Sequence, residues 1–281
     1  MGSVCGVMPP QFISLGPLTL NLYTALVGLG ALLGLAYVWR QTHDPNILTH
    51  LLVIGTCALA TGRAGYLALH WPYFAEHTYD ILSLTSPGYQ EHTAIIGAWL
   101  GWKLEGRRQK AKGKNFCLLP FAFCLFLSLI GLAASLGCIP NGCAYGREVF
   151  WQHSGAHSLA WLVSVDWPDA FSINNPRLPT QLFMAGWLFV VTFAVWRAGR
   201  GEGVKGSKRD ATSPPHPLTP SPLHLWPLLF ALGDFAIQFA RADATPVWAG
   251  LRAEQWFDLA LTGLAFISMA RAFIRSGNSQ N

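Results

Sequence analysis

The 281-residue chain is 52% hydrophobic, only 12% charged, and carries a formal net charge of +5. Soluble domains hold roughly 25% charged residues, so this composition excludes an ordinary soluble enzyme and points to a polytopic membrane protein. The Lys and Arg residues lie in short stretches between apolar runs, which reads as membrane topology and leaves no nucleic-acid partner expected.

In chain order, the N-terminal "MGSVCGVMPPQF" lacks the basic stretch of a cleavable signal peptide, and its Gly6 departs from the myristoylation pattern. Apolar runs then predict seven spans at about 14–38, 49–70, 90–104, 116–137, 180–196, 224–240 and 255–274. A helix needs about 20 residues to cross the hydrocarbon, with a range of about 17–25. By that measure the third span is short, and the fifth and sixth are marginal.

Arg40 follows the first span, "EGRRQKAKGK" the third, "RAGRGEGVKGSKRD" the fifth and "RAFIRSG" the seventh. These are alternate ends, so the positive-inside rule puts all of them in the cytoplasm, with the N-terminus outside and the C-terminus inside. Residues 198–222 are expected to form a disordered basic cytoplasmic linker, being rich in Pro, Ser and Lys. Outside, residues 71–89 carry interfacial aromatics, and 138–179 form a small loop region. The chain is therefore expected to be a single all-α integral-membrane domain over residues 1–281.

Polar residues at bilayer depth cost several kcal/mol and raise a functional hypothesis. Arg63 in "ATGRAGYLALH" is either a snorkelling arginine or an anion clamp. His92 opens the third span and is either structural or a general base. Asp234, Gln238 and Arg241 share one helical face, by spacings of four and three, as a polar lock or a substrate contact. Tyr23, alone, is an aromatic-belt residue.

The stretch "LGCIPNGCAYGR" ends the fourth span with Gly and Pro punctuation. Non-helical backbone at that depth needs cover from protein or a polar cavity. A bend with exposed amides, Asn141 and Arg147 suits a phosphate or carboxylate. Cys138 and Cys143 are open to a disulfide, weak metal binding or no role; two sulfurs without a nearby His make a poor zinc site. No metal or cofactor is expected.

These stretches, in order, resemble the prolipoprotein diacylglyceryl transferases from about residue 11 to 274. Tyr23 in "ISLGPLTLNLYTALVGLG" falls on the family's first-helix Tyr, and "TGRAGYLALHWPYF" resembles its G-R-x-G-Y segment through Arg63, Gly65 and Tyr66. His92 falls on its histidine. "LGCIPNGCAYGR" resembles the family signature through Gly137, Asn141, Gly146 and Arg147. "RLPTQLFMA" matches another stretch through Arg177, Pro179, Gln181 and Leu182, and "LGDFAIQFARADA" a last one through Phe239, Arg241 and Asp243. The chain departs from the family at Ser135 and Asp234, where arginines are expected, at Cys138 for an asparagine, and at Cys143 and Gln238 for glutamates.

The resemblance implies a seven-helix enzyme of the bacterial inner membrane. It would move a diacylglyceryl group from phosphatidylglycerol, or another phospholipid, to the lipobox cysteine thiol of a preprolipoprotein. His92, Arg147 and Tyr23 would be catalytic. Arg63, Asn141, Gly137, Gly142, Gly146 and Arg241 would bind substrate. The alternatives are a non-catalytic lipid- or partner-binding protein on the same scaffold, and a thiol-redox protein using Cys138 and Cys143.

Overall fold

The computed structural model describes residues 12–15, 18–42, 45–81, 88–112, 120–149, 162–169, 173–206 and 222–278. The expected linker lies partly outside them, at 207–221, as do parts of both outside loops.

The described chain is dominated by helices, as the composition requires. A β-hairpin of β1 (Phe12–Leu15) and β2 (Leu18–Asn21) leads into α1 (Leu22–Thr42). The first helix thus starts later than its apolar run suggests. Its start is set by Asn21, whose Oδ1 accepts the Tyr23 amide at 2.8 Å. Asn is among the preferred helix-capping residues, because its side chain satisfies an amide that has no partner inside the helix.

Next come α2 (Ile47–Leu69), the short α3 (Trp71–Glu76), a 3-10 turn over Thr78–Ile81, and α4 (Glu91–Ala111). α4 runs seven residues past the expected end of the third span, through "EGRRQKA". Glu, Arg, Gln, Lys and Ala are good helix formers, so nothing in that segment stops the helix. α5 (Pro120–Asn141) likewise continues through Pro140 in its last turn. Strands β3 (Val165–Pro168) and β4 (Asn174–Arg177) form an antiparallel pair. α6 (Thr180–Gly206) extends into residues expected to be linker. α7 (Pro222–Gln238), a small hairpin of β5 (Val247–Trp248) and β6 (Leu251–Arg252), and α8 (Ala253–Asn278) complete the chain.

Four of these helices are long and apolar enough to cross a membrane: α1, α2, α5 and α6. The other three expected spans are helical as well, as α4, α7 and α8. This is an all-α polytopic membrane protein.

The chain divides into two compact units, Met1–Tyr37 with Pro120–Asn281, and Val38–Leu119. In the second unit, α2 and α4 pack through small residues. A Cβ on Gly62 would lie 3.1 Å from the Ala94 Cβ, and one on Gly101 only 3.0 Å from the Ile54 Cα. Small residues let two helix backbones approach closely, which is how helices associate where lipid tails remove the hydrophobic driving force. The first unit is built differently. Its α5, α6 and α7 bury Phe123, Leu188, Trp226 and Phe230. The buried Trp226 indole donates to Ser128 Oγ at 2.7 Å.

Candidate active site

In the Val38–Leu119 unit, His92 is fully buried in the first turn of α4. The preceding Gln90 caps that helix. Its Oε1 accepts the Thr93 amide at 2.9 Å, while its Nε2 lies 3.3 Å from His92 Nδ1. One buried side chain thus fixes both the helix start and the imidazole. Gln90 also donates its own amide to the Gly62 carbonyl at 3.0 Å, joining the His92 turn to the Arg63 turn of α2. Gln90 was invisible in the sequence, because glutamine is not among the usual capping residues.

Arg63 reaches out of α2 to the chain that follows α3. Its guanidinium donates to the carbonyls of Ile81 at 3.4 Å, Gly88 at 3.1 Å and Asp80, and lies 5.5 Å from the Phe74 ring centre. Carbonyls carry no formal charge, so these bonds position the cation without cancelling it.

The other unit holds the remaining candidates in two groups. In the first, Asn21 Oδ1 accepts both the Tyr23 amide and the Asn141 side-chain amide, the latter at 3.2 Å. Gly137 is buried against Tyr23: a Cβ there would lie 3.0 Å from the ring. Asn141 Oδ1 is a buried acceptor with no hydrogen-bond partner among the described residues, so it can take a donor from a ligand. Gly142 follows with φ +60°, a left-handed conformation natural to glycine at the end of a helix. The amides expected to lie exposed in this bend are used instead to close α5. Gly142 N donates to Ile139 O at 3.4 Å, and Cys143 N to Cys138 O at 3.2 Å. Cys138 and Cys143 themselves form a disulfide, which resolves the alternatives left open by their spacing. From α6, Gln181 and Thr180 hold the Cys143 and Ala144 carbonyls.

The second group is a narrow three-stranded arrangement with residues 145–149 in the middle. Gly146 bridges Arg241 on one side, and Glu148 bridges Arg177 on the other. Arg147 N donates to Ala240 O at 2.8 Å, and Leu178 N donates to Arg147 O at 3.1 Å. Backbone bonds from both neighbours therefore fix Arg147 while its side chain stays exposed. Gly146 permits this, since a Cβ at that buried position would collide with the Leu178 carbonyl.

Ion pairs clamp the same arrangement. Arg241 binds Asp243 through both Nε, at 2.9 Å, and Nη2, and Arg252 adds a 3.0 Å bond to the same carboxylate. Burial would raise the Asp243 pKa, but the Arg241 hydrogen bonds and the charges of Arg241 and Arg252 outweigh it, holding the carboxyl below its ordinary value. Arg177, 5% exposed, pairs with Glu148 and, at 2.8 Å, with Asp169. Tyr145 lies beside the Arg177 guanidinium. Its phenol is pushed above the usual range by burial and by the Asp169 and Asp243 charges. Glu148 was not singled out in the sequence, because Asn175 and Arg177, which hold it, lie 27 and 29 residues on. Asp169 was not either, although Arg177 is only eight residues away, because no motif marks it.

A family profile for prolipoprotein diacylglyceryl transferase matches residues 10–271. The chain belongs to the prolipoprotein diacylglyceryl transferase family. It is similar to the phosphatidylglycerol–prolipoprotein diacylglyceryl transferase of Bacillus licheniformis, 28% identical over 64% of each chain. The Bacillus velezensis enzyme of the same name is 25% identical over 92% of this chain and 90% of its own length. That of Staphylococcus aureus strain Newman is 23% identical over 93% and 88%.

Within this diacylglyceryl transferase scaffold, the departing residues bond to near neighbours, save that Gln238 Oε1 is buried with no hydrogen-bond partner among the described residues. Ser135 returns its hydroxyl to the Gly131 carbonyl at 3.0 Å. Cys138 and Cys143 are joined to each other. Asp234 and Gln238, 1% and 0% exposed, are linked at 3.0 Å along α7. One residue along, Gln255 of α8 donates to the Phe235 carbonyl at 3.2 Å, a bond between the two helices.

Proposed function

We propose that this protein transfers the diacylglyceryl group of phosphatidylglycerol to the lipobox cysteine of a preprolipoprotein. It would act in the bacterial inner membrane, with its N-terminus outside and its C-terminus in the cytoplasm. The acceptor sulfur attacks the glyceryl carbon of the lipid. A carbon–sulfur bond forms, the carbon–oxygen bond to phosphate breaks, and glycerol-1-phosphate leaves. The thiol proton must go to a base, since the thiolate is the nucleophile. His92 takes it in this reading.

The departing phosphate needs fixed positive charge or aligned donors. Arg147 and Arg63 supply the charge, and Tyr23 and Asn141 orient the headgroup. Arg241 is committed to Asp243 and acts on the site through the backbone it holds beside Gly146. Gly137, Gly142 and Gly146 shape the path by their lack of side chains. The observation that carries the reading is Arg147, an exposed cation on a backbone fixed from both sides, within a chain matched almost end to end by the family.

Expression in a bacterium depleted of its own diacylglyceryl transferase tests the proposal. The readout is the mass gain of a diacylglyceryl group on a reporter lipobox cysteine. The gain is expected with the natural chain and lost in His92→Ala and Arg147→Ala; removing one preorganised donor costs about 10²–10³ in rate. No gain from a well-inserted protein, or a gain that survives both substitutions, would overturn it.

A further inference from the structure

α4 presents two faces of opposite character. The face formed by Gly97, Ala98, Gly101 and Glu105 is buried in its own unit, where Glu105 meets His50 of α2 at 3.0 Å and Arg108 at 3.6 Å. The opposite face carries an open cavity of about 310 Å³ lined by Trp102, Lys103, Gly106, Arg107 and Lys110. At 100° per residue, Lys103, Gly106 and Lys110 fall on one line down the helix, with Arg107 beside them. Gly106 leaves the cavity wall without a side chain there, and Trp102 lines it beside the three cations.

None of those cations has an acidic partner among the described residues. The one carboxylate of this helix end, Glu105, points the other way and is taken by His50, Arg108 and Gln109. Lys103 Nζ instead rests 3.5 Å over the Trp99 ring centre, which holds the ammonium beside the groove without neutralising it.

The apolar surroundings narrow the ligand. Trp99, Leu100 and Leu104 are 39%, 43% and 54% exposed, and they lead along α4 toward the groove from its more apolar half. A free anion would use the cations alone. A lipid would lay its acyl chains along these three side chains and place its phosphate among Lys103, Arg107 and Lys110. Basic residues at the end of a membrane helix attract anionic lipid headgroups. The cavity adds what a diffuse basic surface lacks, a recess lined by all three cations.

We infer that the C-terminal half of α4 is a binding site for one anionic phospholipid, with the phosphate held by Lys103, Arg107 and Lys110 and the chains along Trp99, Leu100 and Leu104. The site is independent of the transfer chemistry, and none of its residues belongs to the proposed active site. It would hold lipid in the leaflet at the α4 C-terminus whether or not the protein turns over.

Lysine acetylation in nanodiscs tests this without any transfer reaction. The chain is placed in phosphatidylcholine alone or with phosphatidylglycerol mixed in, so that the discs differ in anionic lipid only. Acetylation rates are read by peptide mass spectrometry at Lys103 and Lys110, with the exposed Lys112 as internal reference. The anionic lipid is expected to slow both groove lysines about fivefold relative to Lys112, the effect of roughly one charge contact. Arg107→Gln should abolish most of that slowing at Lys110. Equal slowing at Lys112 would reduce the site to a general surface potential and overturn the inference. So would the same protection by inorganic phosphate in phosphatidylcholine discs, which would make it a site for any anion. Loss of lipidation activity elsewhere in the protein leaves this readout untouched.

Discussion

The Asn141 side-chain amide donates to Asn21 Oδ1 at 3.2 Å, joining residues 120 positions apart. The same oxygen caps α1 through the Tyr23 amide at 2.8 Å. One acceptor thus ties the end of α5 to the start of α1 and sets where Tyr23 stands. Asn21→Ala removes both bonds at once. It is expected to cost about 1 kcal/mol through the lost cap and to lower lipidation about tenfold through a displaced Tyr23, at roughly 1.4 kcal/mol per decade. Asn21→Ser, which restores the cap but is too short for Asn141, should recover the stability and only part of the activity. Thermal melting in detergent and a reporter mass shift read the two effects separately.

Gly146 has no room for a side chain, and Gly186 on α6 has ample room, with nothing within 4 Å of a Cβ built there. Gly146→Ala is therefore expected to lower the melting temperature and remove activity, because the 145–149 segment must pull away from Leu178 on one side and press against the Arg241 segment on the other. Gly186→Ala should match the natural chain in both assays. Equal behaviour of the two variants would show that the segment yields easily, and that Arg147 is not held as its backbone bonds indicate.

Asp243 gives the protein an acid limit. Its carboxyl is held below its ordinary value in the folded state, so the unfolded chain binds that proton more readily. The stability it contributes is present above the ordinary carboxylate pKa of about 3.9 and is lost as pH falls through the lower folded value. Melting curves of the natural chain and Asp243→Asn are expected to differ at neutral pH and to converge as pH falls below the ordinary carboxylate range. A constant gap across that range would mean the Asp243 charge contributes nothing.

Reduction should loosen the signature turn. The Cys138–Cys143 disulfide closes a short loop between the end of α5 and the residues held by Gln181 and Thr180. Closing a loop of about six residues is worth about 2 kcal/mol in the chain-entropy account. A reductant that reaches this disulfide should lower the melting temperature of the natural chain and leave a Cys138→Ser, Cys143→Ser variant unchanged. Lipidation should survive in that variant at a reduced rate, because neither sulfur touches the reaction.

Arg63 is expected to tolerate little. A lysine cannot span the carbonyls of Ile81, Gly88 and Asp80 that its guanidinium reaches together. Arg63→Lys should therefore raise hydrogen exchange in residues 71–81 as well as slow transfer. Slower transfer with unchanged exchange would assign Arg63 to the lipid phosphate alone.

Composition and hydropathy determined the class of this protein, because burial in lipid demands apolar runs of a fixed length whatever packs against them. Short motifs determined the family, since Arg63, His92, Asn141, Arg147 and Arg241 lie in local contexts that need no partner to be read. Helix ends were less legible. The α4 extension follows from good helix formers beyond the apolar run, which hydropathy does not count, and the start of α1 from the choice of Asn21 as cap over the apolar residues before it. The clamp on Arg177 was not legible, because Glu148 lies 29 residues from Arg177 and meets it only on folding. The contacts of Gln90 with His92, two residues apart, and of Cys138 with Cys143, five apart, are local, but spacing left open whether they form. Sequence spacing carries the periodicity of one helix, and the Arg177 clamp follows from how separate elements pack.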